Sequence, residues 1–110
     1  MMKAMQNSRT LVERVKIADT FFSRFVGLMG KRSLDPSEGL LLRRCPRVHT
    51  CFMHFPIDVI YLSSEDRVLH AETLGPWRMG SRVKGAKHVL ELSVGKKDDV
   101  NIGYEVKFAG

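Results

Sequence analysis

No apolar run in this 110-residue chain approaches the length needed to cross a bilayer, and the N-terminus, MMKAMQNSRT, lacks the continuous apolar stretch of a secretory signal. Both absences point to a cytoplasmic protein with no membrane partner. Cysteine is scarce: Cys45 and Cys51 are the two present, and in a reducing compartment they are expected as free thiols, since a bridge between them would close only a short loop. No glycine-rich phosphate loop opens a helix, which argues against a doubly wound nucleotide fold and against a nucleotide cofactor. Repeats and low-complexity segments are missing. Acidic residues are in short supply, with twelve Asp and Glu against eighteen Lys and Arg, so the formal net charge of +6 favours anionic partners.

What is present is ordinary for a folded domain. Apolar residues make up 44% of the chain and charged residues 27%, close to the globular average and far from the profile of disorder. A chain of this length fits one domain over residues 1–110, burying about two-thirds of the surface that its unfolded form exposes. Residues 1–9 are expected to be a flexible tail.

Leu11, Val15 and Ile17 share a parity within TLVERVKIA and predict a strand from Thr10 to Ala18. Asp19 or Thr20 can cap a helix in which Phe21, Phe25, Leu28 and Met29 recur at helical spacing, stopped by Gly30. GLLLRR, bounded by Gly39 and Pro46, suits a buried strand. Two strands are predicted around Phe55-Pro56, Val48 to His54 and Ile57 to Leu62, because proline marks a bend or an edge. A turn at Ser63 to Asp66 leads into Val68 to Leu74. GPWRMGSRVKG reads as a surface loop. Strands at Ala86 to Val94 and Tyr104 to Phe108 flank a turn at Lys96 to Asp99. Short strands with one early helix indicate a mainly β fold, an antiparallel sandwich or partly closed barrel.

The chemistry-bearing residues concentrate in HTCFMHFPIDVIYL, His49 to Leu62. Apolar residues on both parities of Ile57 to Leu62 imply a strand covered on both faces, which puts Asp58 in partly buried surroundings. Such a carboxylate must accept hydrogen bonds or meet a cation. It either braces the Pro56 bend through backbone N–H groups or pairs with His49 or an arginine at a pocket mouth. Cys45, His49, Cys51 and His54 are four N and S ligands close in sequence, yet a regular strand points His54 away from His49 and Cys51, and the paired CxxC knuckles of structural zinc are missing; no metal is expected. His49 and Cys51 lie about 7 Å apart along a strand and project in parallel, which disfavours a catalytic pair. Trp77, the only tryptophan, stands between Pro76 and Arg78. That loop either carries a binding group or plugs the core with Arg78 paired to an acid. Glu91, on the polar parity of its strand, is expected to be exposed.

FVGLMGK at Phe25 to Lys31, EGLLL at Glu38 to Leu42, HTCFMHFPIDVIYL, PWR at Pro76 to Arg78 and AKHVLELSVG at Ala86 to Gly95 together resemble domain of unknown function family 192, from about Ala18 to Phe108. The resemblance implies a compact, mainly β fold without an established activity. By position it singles out Gly27, Leu28, Met29, Gly39, His49, Thr50, Phe52, Met53, Pro56, Ile57, Asp58, Pro76, Trp77, Arg78, Leu90, Glu91 and Gly95. Cys45, Cys51 and His54 fall outside the family's pattern.

These features favour a non-enzymatic binding domain in which His49, Thr50, Met53, Asp58, Trp77, Arg78 and Glu91 line one site for a small anionic ligand or a protein partner. An enzyme using His49 and Asp58 as acid and base on an anionic substrate held by Arg78 is the first rival. Nucleic-acid binding through the basic stretch from Arg24 to Arg47 is the second, disfavoured because the nearby phenylalanines are spaced for a core rather than for stacking on bases.

Overall fold

Alternation alone does not decide which strands meet; the hydrogen-bond ladders do. The computed structural model describes residues 2–20 and 31–110. Seven strands, β1 (Met2–Gln6), β2 (Arg9–Ala18), β3 (Glu38–Leu42), β4 (Ile57–Leu62), β5 (Val68–Leu74), β6 (His88–Leu92) and β7 (Lys107–Ala109), form one sheet in the order β5-β4-β6-β3-β2-β1-β7. All neighbouring pairs are antiparallel except β2 and β3, which run parallel from Arg14↔Glu38 to Ala18↔Leu42. A parallel pair needs a crossover connection, and the link between these two strands contains the predicted helix, whose residues 21–30 lie outside the described ones.

The sheet curls until its two ends meet. Arg67, next to the edge strand β5, bridges to Glu105, next to the other edge strand β7. Val68 N–H donates to Tyr104 O (3.0 Å), Gly103 N–H to Val68 O (2.7 Å) and Val106 N–H to Asp66 O (2.8 Å). The result is a partly closed barrel, and the sandwich alternative is replaced by this single curled sheet. Its core unites residues from both ends, Ala4, Val12, Val15, Leu41, Ile60, Val68, Leu90 and Val106. A second core covers the outer face of β3, β4 and β6, where Leu40, Leu42, Val59, Tyr61 and Val89 pack under Val48, Met53 and Ala86 from the loops. Strand β4 serves both cores, which is why all six of its residues are buried and why both of its parities are mostly apolar.

Three expectations are corrected. The flexible tail expected over residues 1–9 is, from Met2 onward, part of the sheet: Asn7 and Ser8 sit at φ 52 and 65 between the paired residues Gln6 and Arg9. Two left-handed residues in a two-residue loop match the twist of the flanking strands, so β1 folds back on β2. Val48 to His54 is not a strand, because its peptide groups bond to the 75–80 loop instead of to a ladder. The last strand begins later than Tyr104, because residues 103–106 close the seam before β7 starts. Among the described residues no helix is long and apolar enough to cross a membrane.

Gln6 locks the seam. Its buried amide donates to Asn101 O (2.9 Å) and Tyr104 O (3.1 Å) and accepts from Asn101 N–H (2.7 Å). Gln6→Ala removes all three bonds that tie Asn101 and Tyr104 to β1. It is expected to cost about 2 kcal/mol in urea unfolding and to speed hydrogen exchange at Val68 and Val106 more than at the centre of β4.

Candidate functional site

Four polar side chains are buried among the described residues: Gln6, Thr50, Asp58 and Glu91. Buried polar groups must find partners, and the partners that three of them find are loop backbones. Gln6 holds the 101–104 loop. Asp58 Oδ2 accepts from Gly95 N–H and Lys97 N–H, both at 2.9 Å, while Oδ1 accepts from the Thr73 hydroxyl at 2.6 Å. Asp58 therefore braces the 3₁₀ turn Lys96–Asp99, not the Pro56 bend. Gly95, at φ 104, supplies the left-handed residue that lets both N–H groups turn toward it.

Thr50 joins two loops. Its N–H donates to Arg78 O (2.8 Å), and its carbonyl accepts from Trp77 N–H (2.9 Å) and Met53 N–H (3.1 Å). Its hydroxyl donates to Gly75 O (2.6 Å) and accepts from Arg78 N–H (2.7 Å). One residue down, His49 bridges to Met79, and His49 Nδ1 accepts from Cys51 N–H at 3.1 Å. That bond leaves the proton of the neutral imidazole on Nε2. Residues 48–54 and 75–80 thus form a single two-loop platform.

The platform presents apolar groups to water. Phe52, Trp77 and Met79 are 55%, 59% and 58% exposed. The Phe52 and Trp77 rings lie 4.7 Å apart between centroids with planes tilted at 57°, within contact distance of an aromatic pair. Both residues hold left-handed backbones, φ 65 and 59, a conformation that bulky side chains adopt only where the surroundings enforce it. Arg78, also exposed, has no ion-pair or hydrogen-bond partner for its guanidinium among the described residues.

The far end of the 75–80 loop is clamped separately. Glu72 accepts from the Tyr61 hydroxyl, from Ser81 N–H (2.9 Å) and from the Ser81 hydroxyl (2.9 Å), and Arg47 Nε donates to Gly80 O at 2.7 Å. Burial would raise the Glu72 carboxyl, but these hydrogen bonds outweigh it and hold the carboxylate below its ordinary range. The same burial, with Glu72 beside it, drives the Tyr61 phenol upward. Gly80 has to be glycine, since a Cβ there would collide with the Tyr61 hydroxyl and crowd Val48 O.

The seven residues expected to line one site are thereby divided. His49, Thr50, Trp77 and Arg78 come together, with Thr50 buried as the fastener rather than facing a ligand. Met53 is buried in the outer core beneath them. Asp58 shares its strand parity with Ile60 and Leu62 of the inner core, while Ile57, Val59 and Tyr61 face the outer core under the platform; Asp58 is thus turned away from His49. Phe52 and Met79 are new members of the exposed group. Among the described residues neither Cys45 nor Cys51 is disulfide-bonded, and no group of three or more His, Cys, Asp or Glu could hold a metal ion.

Glu91 is the exception among the buried polar residues. It is 3% exposed, not on the surface as expected, because β6 lies at the centre of the sheet between Val59 of β4 and Leu40 of β3. Burial alone pushes its carboxyl up to about 8, so the group is mostly protonated at neutral pH. A folded-state value above the unfolded one means that the native state binds the extra proton, and stability falls as pH rises from about 4.5 to about 8. Glu91→Gln carries no such proton. Relative to the native protein it is expected to gain roughly 1 kcal/mol per pH unit across that window, read as the difference between the two denaturation curves at successive pH values; a constant difference would contradict the buried acid.

The model for domain of unknown function family 192, described as an uncharacterized ACR, matches residues 2–108. A UPF0127 protein of Thermococcus sibiricus is 40% identical over 99 residues, covering 84% of this chain and 64% of that protein. One from Thermococcus kodakarensis is 37% identical over 74% of this chain and 55% of its own length. This chain therefore spans less than two-thirds of those two relatives. A UPF0127 protein of Pyrococcus abyssi is 36% identical over 86% of both chains. Among solved structures, a protein of unknown function from Novosphingobium aromaticivorans superposes with TM-score 0.79 at 21% identity, over 96% of this chain and 82% of that one. A Sinorhizobium meliloti protein, provisionally described as a transcription regulator, gives 0.76 at 20% identity over 97% and 91%. At these identities the structural likeness establishes the fold alone.

Proposed function

The chain belongs to domain of unknown function family 192, a membership that names no activity, and we propose from its own surface that it is a non-enzymatic, single-domain binding module. Its contact surface is the platform of Phe52, Trp77 and Met79 beside Arg78, and its ligand is a protein segment that combines an apolar side chain with a carboxylate.

One observation carries this. Two aromatic rings, each more than half exposed, are held in tilted contact on left-handed backbones by a buried threonine. Folding alone gives no reason to keep strained, preorganised aromatics in water, whereas binding does, because rigid aromatic anchors lose little entropy on contact. Exposed apolar patches of this kind mark interaction sites. Arg78 supplies the polar half, since its unpaired guanidinium can fork onto a carboxylate, and the excess positive charge of the whole chain favours an acidic partner. Thr50 needs no ligand of its own. The role of His49 is to support the rim through its bridge to Met79.

Acid and base catalysis by His49 and Asp58 has no geometric support, because both Asp58 oxygens are already occupied by the Thr73 hydroxyl and two backbone N–H groups.

Selection of peptides from a random display library against the immobilised protein tests the proposal. The selected peptides should share an apolar residue close to Asp or Glu. Trp77→Ala should weaken them by about tenfold or more and Phe52→Ala comparably, as for central aromatic anchors, while Arg78→Ala should relax the preference for the acid. Peptides that bind Trp77→Ala as well as they bind the native chain would refute it, as would a library that yields none.

A further inference from the structure

Apart from the platform, an open groove of about 390 Å³ is lined by Arg44, Pro46, Ser64, Ala86, Lys87 and His88. Its volume suits a small ligand, and no acid is among its lining residues. Arg44 sits at φ 55, a backbone conformation disfavoured for an arginine. It is held there by its own N–H, which donates to His88 Nδ1 at 2.9 Å. With Nδ1 fixed as an acceptor, the neutral imidazole must carry its proton on Nε2. Burial first, and Arg43 next, push the His88 pKa down, so that Nε2–H is the prevailing form at neutral pH.

Two cations complete the set. The Lys87 ammonium has no ion-pair partner among the described residues. The Arg44 guanidinium spends one contact on Asp19 O, at 3.2 Å, and keeps the rest of its fork. Of the acids nearby, Asp66 is gripped by Arg43 through bonds of 2.6 and 3.1 Å while its charge still reaches His88, and Glu65 accepts the Ser64 hydroxyl at 3.0 Å. The lining itself thus offers donors from Arg44, Lys87 and His88 and no carboxylate of its own.

The geometry points to an anion subsite here, in which the Arg44 guanidinium, the Lys87 ammonium and His88 Nε2–H receive the phosphoryl group of a small phosphorylated ligand. A forked guanidinium and a point charge suit a tetrahedral oxyanion. The aromatic platform shares no residue with this groove, so each site can fail without the other.

Titration with inorganic phosphate, against chloride at matched ionic strength, tests the subsite when the His88 ring nitrogens are followed by long-range 1H–15N correlation. The expected result is a saturable shift at His88 with phosphate and none with chloride. Lys87→Ala should weaken it by about fivefold. Arg44→Gly keeps the N–H that holds His88 and relieves the left-handed strain, so the protein should stay folded while phosphate affinity drops by at least as much. No saturable response, an equal response to chloride, or a response unchanged in both variants would overturn the assignment.

Discussion

Everything distinctive about this surface depends on the burial of Thr50. A threonine removed from water must satisfy a hydroxyl, an N–H and a carbonyl, and here all three are satisfied by Met53 of its own loop and Gly75, Trp77 and Arg78 of the other. Neither loop has a ladder of its own. Each is ordered because the other is, and the left-handed backbones at Phe52 and Trp77 are the geometric consequence of turning both chains around one buried side chain. The curled sheet beneath supplies the floor, with Val59, Tyr61 and Val89 under Val48 and Met53.

The same device recurs elsewhere in the barrel. Gln6 holds the 101–104 loop and Asp58 holds the turn after β6, each by offering a buried side chain to loop peptides that no strand can reach. A curled sheet with short strands has many such peptides, and a side-chain partner is cheaper than burying them unpaired. Glu91 breaks the pattern. It lies between Val59 and Leu40 on an interior strand, where burial raises its carboxyl, and its protonation follows from that place in the sheet.

The sequence located β2 and β4, which bury one and both faces, to within a residue through their apolar spacing, because that spacing is the cause of their burial, and it placed β5 through the turn that precedes that strand. It located the turn at Ser63 to Asp66 and the 75–85 loop through their turn residues. It did not reveal that β1 exists, although Asn7-Ser8 is a short polar pair able to take two left-handed conformations. Val48 to His54 was legible as unusual, since neither parity was apolar, but mixed parity does not distinguish a poor strand from a pair of loops pinned by one threonine. The burial of Glu91 depends on its lateral neighbours in the sheet and the exposure of Phe52 on the pairing of its loop with residues 75–80, and neither long-range arrangement is encoded in local spacing. Trp77 and Arg78 were legible as part of a loop; Asp58 was legible as a buried carboxylate that accepts backbone N–H groups, but the turn it braces is the one after β6 rather than the Pro56 bend, because its parity faces away from that bend.

Thr50→Val preserves the shape of the side chain and deletes only the hydroxyl, so it isolates the fastener from the packing around it. Thr50→Ser restores the hydroxyl with less bulk. Amide hydrogen exchange at Arg78, together with the nuclear Overhauser contacts between the Phe52 and Trp77 rings, reports whether the platform is still assembled. Thr50→Val should retain the barrel, with protection at the centre of β4 unchanged, but should lose protection at Arg78 and the ring contacts, while Thr50→Ser keeps both. Full protection at Arg78 and intact Phe52–Trp77 contacts in Thr50→Val would contradict the account.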